Sequence, residues 1–62
     1  MFKEGDKVKV IDVSGSLRSF PALLGVEGEV ANYVDVGTIS IRVPYNHRKC
    51  IFLVCDFEIE SI

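Results

Sequence analysis

The sequence lacks the features that mark membrane, secreted and polyanion-binding proteins. None of its apolar runs approaches the roughly 18 residues that a helix needs to cross a bilayer. The first six residues, MFKEGD, hold no apolar core of the kind that a signal peptide carries. The net charge of −2 disfavours a protein whose whole surface binds polyanions. We therefore expect a cytoplasmic protein that has no membrane partner.

Cysteine and histidine are scarce, and their spacing argues against a disulfide or a metal site. Cys50 and Cys55 are five residues apart. An extended chain would hold their Cα atoms about 16 Å from each other, far beyond disulfide range. We expect free thiols in a reducing compartment. Together with His47 they lack the paired spacing and the fourth ligand that zinc requires. The prediction is no metal and no other cofactor.

Catalysis is disfavoured by the length of the chain. A thiol activated by His47 would need an orienting acid and a cleft that holds the substrate. A domain of 62 residues has little room for such a cleft. We predict that the protein is not an enzyme.

The distribution of glycine, proline and β-branched residues predicts an all-β fold. Glycine and proline interrupt every window that is long enough for a helix of ten residues, whereas valine and isoleucine dominate the rest. A hydrophobic share of 48% suffices for a core, so we predict one domain over residues 1–62. The predicted strands are residues 7–13, 25–34, 38–43, 49–54 and 60–62.

The third and fourth predicted strands differ in their patterns. The third alternates cleanly and places Ile39, Ile41 and Val43 on one face. The fourth is apolar on both faces, because Ile51 and Leu53 alternate with an equally apolar set. In so small a protein, its second apolar face is either covered by a loop or meets a partner.

The connections between these strands carry their own signals. Residues 14–24 form a long first loop that is apolar enough to fold back onto the sheet. Residues 35–37 are a tight hairpin with Gly37 as its left-handed residue. Pro44 should end the third strand, because it has no amide donor. Asp56 should begin a short terminal helical turn, and the carboxylates of residues 56, 58 and 60 suit an exposed acidic edge.

Two glycine–valine strings carry a resemblance to known families. GDKVKV at residues 5–10 and GVEGEV at residues 25–30 resemble the KOW-type motif of ribosomal and transcription-elongation proteins. They are equally similar to the opening of the ferredoxin–thioredoxin reductase variable subunit and of the PsaE-type photosystem subunit. Together with the loop pattern, this resemblance implies a five-stranded SH3-like barrel over the whole chain.

The resemblance to these families implies a fold, but two of their known functions are not expected of this chain. The peptide-binding branch of SH3-like barrels uses a tryptophan, which this chain lacks, so recognition of proline-rich ligands is not expected. Typical ribosomal KOW proteins are strongly basic, and this chain is slightly acidic. An accessory subunit of a larger complex is a third possibility that the resemblance implies.

A basic and aromatic cluster is one of two candidate binding surfaces. Such a patch holds phosphates by charge and bases by stacking, or it binds an acidic protein surface. The alternative is a solvated hairpin tip whose charges prevent aggregation. The residues of this cluster are Tyr33, Arg42, Tyr45, His47, Arg48 and Lys49.

The long first loop is the other candidate surface. Leu17, Arg18 and Phe20 would form a docking patch if they are exposed, or would cap the barrel end if they are buried. Taking both surfaces together, we predict a non-enzymatic protein-binding adaptor that acts through this loop and an exposed barrel face. The alternative is KOW-like nucleic-acid binding around residues 42–49, with Arg18 as a further phosphate contact. We expect a monomer or a weak homodimer.

Overall fold

A computed structural model describes residues 2–62, apart from the side chains of residues 33–35. Five strands and two single 3₁₀ turns make up its regular structure. In chain order they are β1 (Lys7–Val10), the first turn (Pro21–Leu23), β2 (Glu27–Asp35), β3 (Thr38–Tyr45), β4 (Arg48–Cys55), the second turn (Asp56–Glu58) and β5 (Ile59–Ser61). Within residues 2–62 no helix has the length and apolar character needed to span a bilayer.

The five strands form one antiparallel sheet with the order β4-β3-β2-β1-β5. This confirms the all-β prediction and the five-strand count. The predicted closure into a barrel is not found, because no pairing among residues 2–62 joins β4 to β5. The last strand, β5, is only three residues long and pairs with β1 alone. Strands β4 and β5 are therefore the two edges of an open sheet.

The bounds of three strands, β1, β2 and β4, differ from the prediction. β1 ends at Val10 because the amides of Ile11 and Asp12 turn away and donate to the Glu58 carbonyl oxygen. β2 begins later than predicted, after Gly25 with its φ of 87°. β4 is one residue longer at each end than predicted.

Pro44 does not end β3, which is a fourth correction. It lies within the strand and is paired with Lys49. Pairing of β3 with β2 starts at Arg42, so the missing amide of Pro44 costs no hydrogen bond on that side. The turn itself is reduced to Asn46 and His47, both with positive φ, as a two-residue hairpin turn requires.

The core lies on one face of the sheet and is closed by the long first loop. Ile39, Ile41 and Val43 are fully buried on the inner face, as the alternation predicts. Leu17 and Leu23 from the loop are each only 1% exposed and complete the same core. The second 3₁₀ turn begins at Asp56, which confirms the predicted terminal turn.

Gly37 occupies the left-handed position that the sequence predicts, with a φ of 81° and no atom within 4 Å of a Cβ built on it. Gly37→Ala is therefore expected to cost only the conformational strain of a left-handed residue, about 1 kcal/mol of unfolding free energy. Gly37→Asn should cost less, because asparagine tolerates this region. Urea unfolding measures both. If Gly37→Ala lowers the unfolding free energy no more than Gly37→Asn does, the left-handed conformation of residue 37 is contradicted.

Candidate functional site

The carboxylate of Glu58 organises the start of the long first loop. It accepts hydrogen bonds from the amides of Gly15 (3.0 Å), Ser16 (3.1 Å) and Leu17 (3.0 Å). It also accepts one from the amide of Cys55 at 2.8 Å, within a capping box of the second 3₁₀ turn. Glu58 is 0% exposed, so the prediction that it lies on an exposed acidic edge is wrong. The loop is thereby fixed against the turn that follows β4.

A weak signal for this role is present in the sequence. Capping boxes pair a small polar residue with a glutamate three positions later. Cys55 and Glu58 have that spacing, with the thiol in place of the usual hydroxyl. Sequence reasoning missed the signal because cysteine is not a typical residue at that position.

The loop is also ordered at its beginning by Asp12. Its carboxylate accepts a hydrogen bond from the Ser14 amide at 2.7 Å. Hydrogen bonds from the side chain and the backbone of Ser14 lower the pKa of the Asp12 carboxyl. The ionised form is thus the one that holds this turn.

The structure separates the predicted loop residues into different environments. Leu17 is buried in the core, so it offers no surface to a partner. Phe20 is half-buried against the sheet. Arg18 is exposed and borders an open depression beside Leu53 and Cys55. Of the three, Arg18 is the one whose side chain is freely accessible.

Phe20 joins the loop to the β3–β4 hairpin through an aromatic cluster. Its ring lies 5.9 Å from that of Tyr45 and 5.0 Å from that of Phe52, and these two rings are 5.5 Å apart. All three pairs are edge-to-face, the favoured geometry for aromatic side chains. The structure therefore brings together two predicted site residues, and adds Phe52. The rings pack mainly against each other, which reduces the area left for stacking on a base.

The predicted basic residues do not form one cationic patch. Arg42 is bound to Glu29, with 3.0 Å between Nη1 and Oε1. Both residues and Lys49 line a depression of about 230 Å³. Lys7 and Glu27 also border it, so charges of both signs surround the depression. This part of the surface is unsuited to a polyanion.

The hairpin tip keeps its positive charge. His47, Arg48 and Lys49 are exposed, and the Arg42–Glu29 pair is the one salt bridge among the described side chains. The side chain of Tyr33, the remaining predicted residue, lies outside those that the structure describes. The cations at 48 and 49 therefore stand unpaired at one end of β4.

The outer face of β4 carries an exposed apolar pair. Ile51 and Leu53 are each 53% exposed, whereas Val54 on the inner face is fully buried. The long loop packs on the inner face of β4, where Phe20 contacts Phe52, and leaves about half of each outer apolar side chain exposed. We call Lys49, Ile51 and Leu53 the β4 outer face. Arg18 adjoins it next to Leu53.

The two thiols lie on opposite sides of β4. Cys50 Sγ is 3.9 Å from the Tyr45 carbonyl oxygen, and Cys55 Sγ is 3.4 Å from Ser16 Oγ. Both are half-buried free thiols. Among the side chains that the structure describes, no group of three histidines, cysteines or carboxylates is arranged to hold a metal ion.

Comparison of the chain with protein-family models, with curated proteins and with solved structures found no match. The function must therefore be inferred from the surface itself.

Proposed function

We propose that this chain is a non-enzymatic protein-binding module that acts through the β4 outer face and the adjoining part of the long first loop. The single observation that carries the proposal is the exposed Ile51–Leu53 pair on an edge strand. Exposed apolar residues are common when scattered, but two on the same face of a sheet edge favour association. A strand edge adds backbone groups that a partner segment can bind.

The SH3-like barrel remains our proposal for the fold family. Its support is the combination of five antiparallel strands, one long first loop, two tight hairpins and a brief terminal turn. The open edge between β4 and β5 is compatible with a partly open barrel, in which the long loop covers the inner face. We further propose that the module works in the cytoplasm, as a monomer that meets a larger partner.

Nucleic-acid binding is the second candidate, and the exposed cations of the hairpin tip are its support. His47, Arg48 and Lys49 can approach phosphates there. Two observations weigh against it. Arg42 is neutralised by Glu29, and the ring of Tyr45 is engaged by Phe20 and Phe52. Protein binding therefore ranks first.

Affinity capture from native cell extract, with and without nuclease, tests the proposal. Leu53→Lys should deplete the captured proteins at least about tenfold relative to the native chain, as loss of a central apolar contact does. Val36→Lys is the matched control, because Val36 is a 96% exposed apolar residue in the turn between β2 and β3, outside the β4 outer face. It should capture the same proteins as the native chain. Circular dichroism establishes that both variants are folded.

Two results would contradict protein binding. If Leu53→Lys captures the same proteins as Val36→Lys, the β4 outer face is not the interface. If nuclease removes every captured protein and Arg48→Ala has the same effect, the chain binds nucleic acid through the hairpin tip.

A further inference from the structure

We propose that the occupant of the β4 outer face is an extended segment of a partner protein in which acidic and apolar residues alternate. This inference rests on the proposed function and specifies its partner. It depends on the geometry of the edge and on the charges at its two ends.

The first step is the shape of the surface. β4 is an end strand of the sheet, and among residues 2–62 it pairs with β3 alone. Its exposed edge and outer face run from Lys49 to Leu53, with Ile51 between them. Lys49 to Leu53 spans about 13 Å, the length of roughly five extended residues. An added strand is the simplest element that follows such a surface and also satisfies its backbone groups.

The second step is the apolar spacing. Ile51 and Leu53 are two residues apart and point the same way. An extended segment with apolar residues at every second position presents one matching apolar face. A helix repeats its apolar face at three and four residues, and so matches this surface less well.

The third step is the charge. The apolar pair has Arg48 and Lys49 at one end and Arg18 at the other. Among the side chains that the structure describes, none of these three forms a salt bridge. The depression that Leu53 and Arg18 border has no carboxylate among its lining residues. The other residues that line it are Ser14, Gly15, Ser16 and Cys55. Glu27 and Glu29 line the depression that Lys49 borders, but Lys7 and Arg42 line it too. Glu29 is bound to Arg42, and the two carboxylates are matched by two cations, so Lys49 is the cation in excess. Carboxylates on the partner complement this arrangement, whereas lysines would be repelled.

A second copy of this chain is a poorer occupant. Two β4 strands that pair edge to edge would bring the cations of residues 48 and 49 towards those of the other copy or towards its Arg18. Like charges that face each other across a strand pair are destabilising. The charge on this edge thus opposes self-association and favours an acidic partner.

The test uses two labelled peptides of about eight residues, one alternating glutamate with valine and the other alternating lysine with valine. Fluorescence anisotropy at low salt measures their affinities for the native chain, and NMR of isotope-labelled protein locates the contact. We expect saturable binding of the glutamate peptide, at least about fivefold weaker binding of the lysine peptide, and chemical-shift changes centred on β4.

Charge reversal makes the test specific. Lys49→Glu and Arg18→Glu should each lower the affinity for the glutamate peptide about three- to fivefold, the range expected for one exposed ion pair. Each should also raise the affinity for the lysine peptide. Lys3→Glu is the matched control, since it makes the same change of net charge at an exposed position near the start of the chain. It should leave both affinities within about twofold of the native values.

Several results would overturn the inference. These are equal affinity for the two peptides, no saturable binding up to about 1 mM, shift changes away from β4, or concentration-dependent self-association that perturbs β4. If the inference fails while capture still depends on Leu53, the proposed function stands and only the acidic character of the partner is wrong. If dependence on Leu53 is lost as well, both proposals fall.

Discussion

Glu58→Gln is expected to destabilise the fold by about 3 kcal/mol or more, a large share of what a domain of this size has. Four backbone amides donate to the carboxylate, which is completely buried. A glutamine retains one acceptor oxygen but turns an NH₂ group towards amides that also donate. Hydrogen bonds to a charged group are worth about 1.5–3 kcal/mol each, and buried donors without an acceptor add a desolvation cost.

Thermal and urea unfolding measure this effect. A loss of about 3 kcal/mol corresponds to a fall in Tm of at least about 12 °C in a domain this small. Glu60→Gln is the matched control, because Glu60 is exposed two residues further along. It should change stability by less than about 0.5 kcal/mol. Equal stability of the two variants would show that the buried carboxylate does not hold the loop.

Gly28→Ala is expected to have the second-largest effect, again about 3 kcal/mol or more. A Cβ built on Gly28 would lie 2.5 Å from Val43 Cγ1 and closer still to the carbonyl oxygen of Arg42. The nearest obstacle is backbone, which no change of rotamer can move. β2 must therefore shift away from β3 next to Glu29, which pairs with both Lys7 of β1 and Arg42 of β3.

Gly37→Ala is the comparison for this prediction, because the same substitution is made there in a different environment. Gly37 has a left-handed backbone and open space around it, whereas Gly28 lacks space and has no left-handed φ. Urea unfolding should therefore rank Gly28→Ala as the more destabilising of the two by at least about 1 kcal/mol. The reverse order would mean that the close approach of β2 to β3 relaxes freely.

Features set by neighbouring residues were predictable from the sequence. The inner face of β3 follows from alternation at Ile39, Ile41 and Val43, and the first hairpin follows from the conformational freedom of Gly37. The start of the terminal turn at Asp56 is equally local. Each of these signals is complete within a few residues, so no knowledge of the tertiary contacts is needed.

The position of Glu58 shows where such reasoning stops. In a regular strand, residues 56, 58 and 60 would share one solvated face, with Ile59 on the other. A 3₁₀ turn at Asp56–Glu58 breaks that alternation, so that Glu58 and Ile59 are both buried. Three of its four amide partners lie more than 40 residues earlier, and the nearby Cys55–Glu58 spacing does not indicate them. No pattern near residue 58 contains that information.

The candidate surface was partly predictable for the same reason. The second apolar face of β4 is visible in the alternation around Ile51 and Leu53, and its exposure follows from its place at the sheet edge. The neutralisation of Arg42 depends on the register of β2 against β3, which is shifted by irregularities at residues 30–32 and 33–35. Such bulges cannot be placed from alternation alone, so the basic cluster was predicted larger than it is.

The contact between Glu58 and the amides of residues 15–17 also has a kinetic consequence. It closes a loop of more than 40 residues, and contacts that distant in sequence form slowly. During synthesis from the N-terminus, Leu17 and Leu23 have no fixed place until residue 58 has left the ribosome. A nascent chain halted before that point should expose these leucines and aggregate readily, whereas a chain in which residue 58 has emerged can close the loop.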